Sequence, residues 1–448
     1  MLQMIRELIA NKKVLLLGFG REGRSSFEVI KKAGGYQLLG IADMANITLP
    51  VEEQNVALHT GPTYRDAMEQ YDVVFKSPGV VLEKDISEYE CDIVSQTEIF
   101  FRRYKEQIVG ITGTKGKSTT TSLLYHILKE SGTDCMIAGN IGIPVFERYE
   151  DITEKTVIVV ELSCHQLEYM TVAPNIAVLI NVYEEHLDHY GTVEKYVAAK
   201  QNIYKNQTES DTLYCNIDFL PEVGTCRSRI VTVGMEKQAD IMLHGNTVQI
   251  PEKKLQYVIP TDEIQLMGQH NYFDIAIDYG ICMQLGISEE AFTAGLKTYE
   301  TLPHRLHFVA NIGGVKYYDD SISTIGTTTI EALNTLKDAE TVLIGGMDRG
   351  IDYSDLTSYL NQCHVPNIIL MEATGKRIYK EMMELPEGIR YPEHVFVVEH
   401  LEDAVKLAKE RTTPGHSCVL SPAAASYGIF NNFEERGDRF AELVKSEA

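Results

Sequence analysis

The stretch GITGTKGKSTTT, residues 110–121, decides the fold of this chain. It follows the apolar run QIV and precedes SLLYHILKE, a stretch with the character of an amphipathic helix. A glycine-rich turn between a strand and a helix presents backbone N–H groups that can hold phosphate. Gly116, Lys117 and Ser118 supply the GK[ST] core of such a loop, although position 111, where the standard loop has its first glycine, is Ile. The stretch predicts an α/β domain that binds a nucleoside triphosphate; the alternative is a glycine-rich helix start without a ligand.

Short apolar runs alternate with longer amphipathic stretches along most of the chain. The runs are KVLLLGFG, DVVFKSPG, QIVGITG, TVIVVELS, IAVLINV, TVLIGGM, NIILME and HSCVLSPAA. This alternation is typical of buried parallel strands joined by helices, and the loops at the strands' carboxyl ends are where such sheets bind ligands. Residues 235–265 instead combine short strand-like runs with polar turns, which predicts a small antiparallel insertion.

The length of 448 residues exceeds one ordinary core and indicates three domains. The charged stretch RRYKEQ, residues 102–107, precedes a new strand, and Pro303 precedes a new apolar run. We therefore expect domains at residues 1–106, 107–304 and 305–448.

Charge and composition limit the partners of the chain. It has 64 acidic and 41 basic residues, a formal charge of −23, which argues against binding to nucleic acid or to an anionic membrane. No apolar run approaches the roughly 20 residues that span a bilayer, and the first residues lack the order of a signal peptide. The eight cysteines are scattered without a CxxC pair. We expect a soluble, cytoplasmic protein with reduced thiols, and a monomer.

A second glycine-rich turn lies near the start of the chain. Gly18, Gly20 and Gly23 form G-x-G-x-x-G after an apolar run, and Asp43 closes the next one. This spacing is typical of dinucleotide sites, where an acid about 20 residues on binds ribose. An NAD-dependent dehydrogenase is one hypothesis; a turn without a ligand and a site for another nucleotide are the others.

Further polar residues follow apolar runs in the central part of the chain. Glu161 ends TVIVVE, where it could bind a metal beside the phosphate loop or simply cap the next element. His186, Asp188, His189 and Lys200 lie in one segment that predicts a metal or proton-transfer site, or a polar loop. Arg305 and Arg349, later in the chain, are candidate clamps for carboxylate or phosphate, with surface ion pairs as the alternative.

Taken in order, these motifs resemble the Mur ligase family from about residue 12 to residue 442. The matching stretches are GTKGKST, AGNIG, ELS, HLDHYG, YVAAK, GQHN, LPHR and DDS. The resemblance implies an ATP-dependent amide ligase with a Rossmann-like UDP-binding domain, a central P-loop ATPase-type domain and a Rossmann-like C-terminal domain that binds the amino acid. GFGREGRS, KSPGV and NFEERGDRF are similar to the members that add D-glutamate to UDP-N-acetylmuramoyl-L-alanine in peptidoglycan precursor synthesis.

The resemblance also implies roles for individual residues. For ATP these are Gly113, Thr114, Lys115, Gly116, Lys117, Ser118, Thr119, Asn271, Arg305 and Asp320. For the UDP substrate they are Gly18, Gly20, Gly23, Asp43, Ser77, Pro78, Gly79, Asn140, Ser163 and Gln166. For glutamate they are Thr324, Arg349, Ser426 and Phe433. Two Mg²⁺ ions would be held by Ser118, Glu161, His186 and a carbamylated Lys200, and the residues implied to be catalytic are Lys117, Glu161, His186 and Lys200.

Departures from the family pattern affect the amino-acid pocket. Glutamate-adding relatives carry a lysine where this chain has Ile322, and Asn where it has Asp274. An L-glutamate-adding ligase is therefore the nearest alternative. A dehydrogenase would give no functional role to the GK[ST] loop, Glu161 and Lys200. A P-loop switch would give no functional role to the UDP-like turn.

Overall fold

The computed structural model describes residues 1–50, 55–384 and 394–446. Within these ranges the chain forms two compact units. The first comprises residues 1–264 and 269–299, and the second comprises residues 265–268 and 300 onward. Three β-sheets with flanking helices make up the architecture, so the predicted α/β class is confirmed.

The first sheet has five parallel strands in the order β3-β2-β1-β4-β5. Its strands are β1 (Lys13–Leu17), β2 (Leu38–Asp43), β3 (Ala57–Thr60), β4 (Val73–Lys76) and β5 (Asp92–Val94). Its helices are α1 (Leu2–Ile9), α2 (Arg21–Ala33) and α3 (Gln96–Tyr104). The apolar side chains of β1 are buried on both faces, as a sheet covered by helices requires.

The second sheet belongs to the same unit and has nine strands in the order β14-β13-β12-β11-β10-β9-β6-β8-β7. The strands are β6 (Ile108–Thr112), β7 (Cys135–Gly139), β8 (Val157–Glu161), β9 (Ile176–Leu179), β10 (Thr212–Asn216), β11 (Arg229–Met235), β12 (Ile241–His244), β13 (Thr247–Ile250) and β14 (Leu255–Val258). The helices are α4 (Lys117–Glu130), α5 (Cys164–Leu167), α6 (Leu187–Tyr190), α7 (Val193–Lys205), α8 (Gln269–Gln284) and α9 (Glu289–Thr298).

The predicted antiparallel segment corresponds to β12, β13 and β14. β13 pairs antiparallel with both neighbours, as expected, but β12 pairs parallel with β11. The segment therefore extends the edge of the second sheet.

The second unit contains a six-stranded sheet in the order β15-β16-β20-β17-β18-β19. Its strands are β15 (His307–Ile312), β16 (Val315–Asp319), β17 (Ala339–Gly345), β18 (Asn367–Met371), β19 (His394–Val398) and β20 (Ser417–Leu420). Its helices are α10 (Gly326–Thr335), α11 (Ser354–Leu360), α12 (Glu372–Met383), α13 (Leu401–Arg411) and α14 (Phe433–Lys445). Only β15 is antiparallel in this sheet. Within the described ranges, the chain has no helix with the length and apolar character to cross a bilayer.

Candidate active site

The phosphate loop joins β6 to α4, as the sequence predicts. Gly116 has a φ of +86°, and a Cβ there would lie 2.9 Å from Oδ1 of Asp274, so glycine is required by both backbone and space. Asn181, directly after the buried end of β9, fixes the loop because its Oδ1 accepts from the amides of Thr114 and Lys115 at 2.9 Å. Sequence analysis missed Asn181; the signal was a polar residue ending the run IAVLI.

Two lysines converge on the carbonyl oxygen of Gly113. Nζ of Lys117 donates to it at 3.0 Å and also to the carbonyl of Thr114 at 3.0 Å. Nζ of Lys200, from α7, donates to it at 2.8 Å. Burial, together with the charge of Lys117, lowers the pKa of Lys200 to about 7. The structure thus brings together two cations that lie 83 positions apart in the sequence.

Glu161 lies at the end of β8, opposite Ile111 on one side and Gly139 on the other. Its side chain is 1% exposed. Oε1 accepts from Nδ2 of Asn140 at 2.8 Å, whereas Oε2 is buried without a hydrogen-bond partner in the part of the chain that the structure describes. A buried carboxylate oxygen without a donor is costly, and a hard cation such as Mg²⁺ would satisfy it.

His186 is placed by a strained turn before α6. Its φ of +57° is uncommon for a residue with a side chain, and such strain is frequent at functional sites. Its ring packs against His165, with centroids 4.9 Å apart, and His165 lies 4.3 Å from His189. Among the described residues, no three His, Cys, Asp or Glu side chains form a ready metal centre. Any metal here would need the serine, lysine or substrate donors as well.

Glu185, which sequence analysis also missed, ties this turn to the phosphate loop. Its Oε1 accepts from Nζ of Lys115 at 2.9 Å. Burial raises the pKa of the Glu185 carboxyl, but Lys115 and neighbouring cations outweigh burial and hold it below its usual value. The sequence feature that could have indicated Glu185 is the acidic pair in VYEEH, residues 182–186.

The glycine-rich turn of the first sheet brings together most of the residues predicted for UDP. Oγ of Ser77 donates to the carbonyl of Gly18 at 2.9 Å, and Oδ2 of Asp43 accepts from the amide of Phe19 at 2.6 Å. A Cβ at Gly23 would overlap the carbonyl oxygen of Gly18. The turn also reaches the AGNIG loop, since Nη1 of Arg21 donates to the carbonyl of Gly142 at 2.9 Å.

The residues predicted for ATP in the second unit form a tight internal cluster. Asp320 is buried, and its oxygens accept from the amide of Leu306 at 3.1 Å and from Oγ of Ser421 at 2.8 Å. Burial raises its pKa to about 7. Nδ1 of His304 lies 2.6 Å from Oδ2 of Asp319, and both His304 and Leu306 have positive φ. Arg305 is thereby held in a constrained turn.

The residues predicted for glutamate are brought together in part. Nη2 of Arg349 donates to the carbonyl of Thr324 at 3.0 Å. The ring of Phe433, the first residue of α14, lies 6.1 Å from that of His304. Ser426 is buried, in the loop after β20.

Arg436 is a buried residue of this region that sequence analysis missed. Its guanidinium donates to the carbonyl of Ser321 at 2.8 Å and to the Oγ of the same residue at 3.0 Å. An arginine in a charged helix gives no sign in the sequence that it turns inward.

Comparison with known proteins identifies the family of this chain. The family model of the Mur ligase middle domain matches residues 111–277. The UDP-N-acetylmuramoylalanine--D-glutamate ligase of Acetivibrio thermocellus is 32% identical over 466 residues, covering 98% of each chain. The ligase of the same name from Bacillus thuringiensis is 33% identical and covers 97% of each chain. These relatives span nearly the whole chain, which therefore belongs to the Mur ligase family.

Solved structures show the same fold at lower identity. MurF from Acinetobacter baumannii matches with a TM-score of 0.63 at 17% identity, covering 99% of this chain and 92% of that one. UDP-N-acetylmuramate-alanine ligase MurC from Thermotoga maritima matches with a TM-score of 0.61 at 18% identity, covering 96% and 98%. At these identities the likeness concerns the fold alone.

Proposed function

We propose that this chain is an ATP-dependent ligase that joins D-glutamate to UDP-N-acetylmuramoyl-L-alanine in peptidoglycan precursor synthesis. Relatives that are 32% and 33% identical over nearly the full length carry that name. The structural observation that carries the proposal is the convergence of Lys117 and Lys200 on the phosphate loop, with Glu161 at the end of a strand paired to β6. A cation beside a phosphate loop, here Lys117, is what phosphoryl transfer to a second anion needs, and Lys200 lies where it could take part in metal binding.

The reaction proceeds through an acyl phosphate. One oxygen of the alanyl carboxylate forms a bond to the γ-phosphorus of ATP while the bond to the bridging oxygen breaks, which releases ADP. The amine of glutamate, having lost its extra proton, then attacks the acyl carbon, and the C–O bond to phosphate breaks to give the amide and inorganic phosphate. Because two anions must meet, positioning and charge neutralisation supply most of the catalysis.

The phosphate loop, residues 113–119, would hold the phosphates through its amides, and Lys117 would exchange its loop carbonyls for β- and γ-phosphate oxygens. Asn271, Arg305 and Asp320 would complete the ATP site. With its oxygens engaged by Leu306 and Ser421, Asp320 would act by shaping the turn that carries Arg305.

We propose two Mg²⁺ ions at this site, and the buried, unsatisfied Oε2 of Glu161 supports the first of them. The unsatisfied Oε2 of Glu161, with Ser118 at the start of α4, would hold the first. His186 and Lys200 would hold the second, with Lys200 as a carbamate, because an ammonium cannot bind a metal. A lysine whose pKa is lowered to about 7 has a substantial neutral-amine fraction near neutral pH, and the neutral amine is the form that reacts with CO₂. When bound, the ions would neutralise charge between the carboxylate and the γ-phosphate.

The remaining residues would bind the other two substrates. The UDP end would be held by the turn that contains Gly18, Gly20 and Gly23, together with Asp43 and residues 77–79. The muramoyl end would be held by Asn140, Ser163 and Gln166. Thr324, Arg349, Ser426 and Phe433 would hold glutamate. We further propose three functional domains, residues 1–106, 107–304 and 305–448, with the first two packed in one compact unit.

The decisive experiment is a coupled assay of ADP release with UDP-N-acetylmuramoyl-L-alanine, ATP and either D- or L-glutamate. We expect amide formation with D-glutamate. Preference for L-glutamate would indicate the alternative that Ile322 suggests, and reduction of NAD without ADP release would refute the ligase proposal.

A further inference from the structure

A layer of polar side chains joins the glycine-rich turn of the first sheet to the segment that follows β8. Nε2 of Gln166 donates to Oε1 of Glu22, in the first turn of α2, at 2.7 Å. Oε2 of Glu168, two residues further on, lies 3.9 Å from Nζ of Lys76, the last residue of β4. Gln166 and Lys76 are nearly inaccessible to solvent, so these contacts are shielded from screening.

Glu22 determines which way the Gln166 amide faces. Oε1 of Gln166 accepts from the amide of Ser163 at 3.0 Å and lies 3.2 Å from its Oγ, so the oxygen end is committed to Ser163. The nitrogen end must then face Glu22, and a carboxylate is the partner that accepts from an NH₂ group and repels an amide oxygen. The charge of Glu22 therefore selects one of the two orientations of the amide.

Lys76 supports this arrangement electrostatically. Burial raises the pKa of the Glu22 carboxyl, and the side chains of Gln96 and Gln166, followed by the charge of Lys76, oppose that rise. Burial likewise lowers the pKa of Lys76, opposed by Glu168 and Glu22. Lys76 also borders a small cavity of about 110 Å³, which Gln166 and Tyr169 line as well. Each charge thus favours the ionised form of the other, against the effect of burial.

We propose that Glu22 and Lys76 are positioning residues that set the orientation of Gln166 and Ser163 toward the muramoyl substrate. The inference rests on the proposed function, because it assigns these two residues to the substrate end of that reaction. Through these contacts, the turn that would bind UDP would also position the segment that begins two residues after Glu161.

The test exchanges the amide of Gln166 and the carboxylate of Glu22 between the two positions. Gln166→Glu places two carboxylates at a hydrogen-bond distance, and we expect kcat/KM for the muramoyl substrate to fall at least about tenfold. The double variant Glu22→Gln with Gln166→Glu again pairs one amide with one carboxylate, with the hydrogen bond now donated by the amide at position 22. We expect it to recover most of the lost kcat/KM, whereas KM for ATP changes less than about threefold in both variants. Lys76→Met should raise KM for the muramoyl substrate more than it changes kcat.

Glu28→Gln is the matched control, because Glu28 lies on the exposed side of the same helix. A double variant no more active than Gln166→Glu would overturn the proposal, as would equal losses in KM for both substrates. The melting temperatures of the parent protein, Gln166→Glu, the double variant and Glu28→Gln test the contact without the reaction. If the parent protein forms no amide but the exchange restores the melting temperature, the contact stands and the proposed function fails.

Discussion

Lys200 shows how the environment of a residue can change its chemistry. A lysine beside a second cation and out of water is a poor ammonium and a good amine. The ring of Tyr196, 5.0 Å from Nζ, and the carbonyl of Gly113 favour the charged form, but burial and the charge of Lys117 outweigh them. A lysine on a helix gives no hint of this in the sequence; only the fold brings Lys117 beside it.

We expect Lys200→Ala to lower kcat on the order of 100-fold or more, the usual cost of removing a group that stabilises transition-state charge. Phosphate release in the coupled assay measures it. Lys205→Ala, at the exposed end of the same helix, is the control. Partial recovery of the Lys200→Ala variant in high acetate would support the carbamate, and an activity within twofold of the parent would exclude any essential role.

His304 makes the stability of the second unit depend on pH. Burial lowers its pKa, but the hydrogen bond and the charge of Asp319 outweigh burial and raise it above its ordinary value. The pair is therefore fully stabilising below the unfolded pKa of about 6.5 and loses its contribution as the pH rises through the higher folded value.

Accordingly, His304→Gln should lower the melting temperature of the second unit most near pH 6 and progressively less toward pH 8. Thermal unfolding of parent and variant across this range measures the difference. His416→Gln, at an exposed position of the same unit, is the control and should follow the parent. A constant difference between parent and His304→Gln at all pH values would show that the ion pair does not titrate as described.

At the scale of elements, the turn between β1 and α2 depends on two glycines for different reasons. A side chain at Gly23 would overlap the carbonyl of Gly18, whereas one at Gly20 meets nothing within 4 Å. Gly23 thus permits the helix to pack on the strand, and Gly20 leaves room for a ligand.

Gly23→Ala should therefore destabilise the first unit by about 1–3 kcal/mol, the usual cost of overpacking. Gly20→Ala should leave stability nearly unchanged and raise KM for the muramoyl substrate, because the methyl group would intrude where a diphosphate approaches. Urea unfolding and steady-state kinetics separate the two effects. Equal loss of stability in both variants would contradict this division.

The elements that the sequence predicts best are those whose signal is local. Buried parallel strands are continuous apolar runs, so β1, β6, β8 and β17 were recognisable without knowing their neighbours. Pairing is not local, which is why the parallel contact between β11 and β12 was not foreseen.

The same limit applies to the site. Motifs at strand ends indicated the phosphate loop and Glu161, because strand ends carry the chemistry, whereas the role predicted for Lys200, within α7, came from the family resemblance. Asn181, Glu185, Glu22 and Arg436 act on residues that are distant in sequence, and a single polar side chain has no periodic signature. They could be found only once the strands were assembled.

At the scale of the whole molecule, ATP turnover should depend on the acceptor. The phosphoryl group is transferred to a substrate carboxylate, so ATP without the muramoyl substrate lacks an acceptor for that group. We expect ADP release to be negligible with ATP and glutamate, and to begin only when UDP-N-acetylmuramoyl-L-alanine is added. ADP release that ignores the muramoyl substrate would point to a switch or motor, in which nucleotide hydrolysis serves binding.

The division into two compact units also bears on how such a chain can evolve. The groups proposed for phosphate chemistry, Lys117, Glu161 and Lys200, belong to the first unit and are anchored to the strands and helices of one sheet. Those proposed to choose the amino acid, such as Thr324 and Arg349, lie on loops of the second unit. Because separate cores fold around them, mutations that change the choice of amino acid need not disturb the machinery that activates the carboxylate. Ile322, which lies in the second unit, is a position where a change of amino-acid choice could arise without altering the first unit.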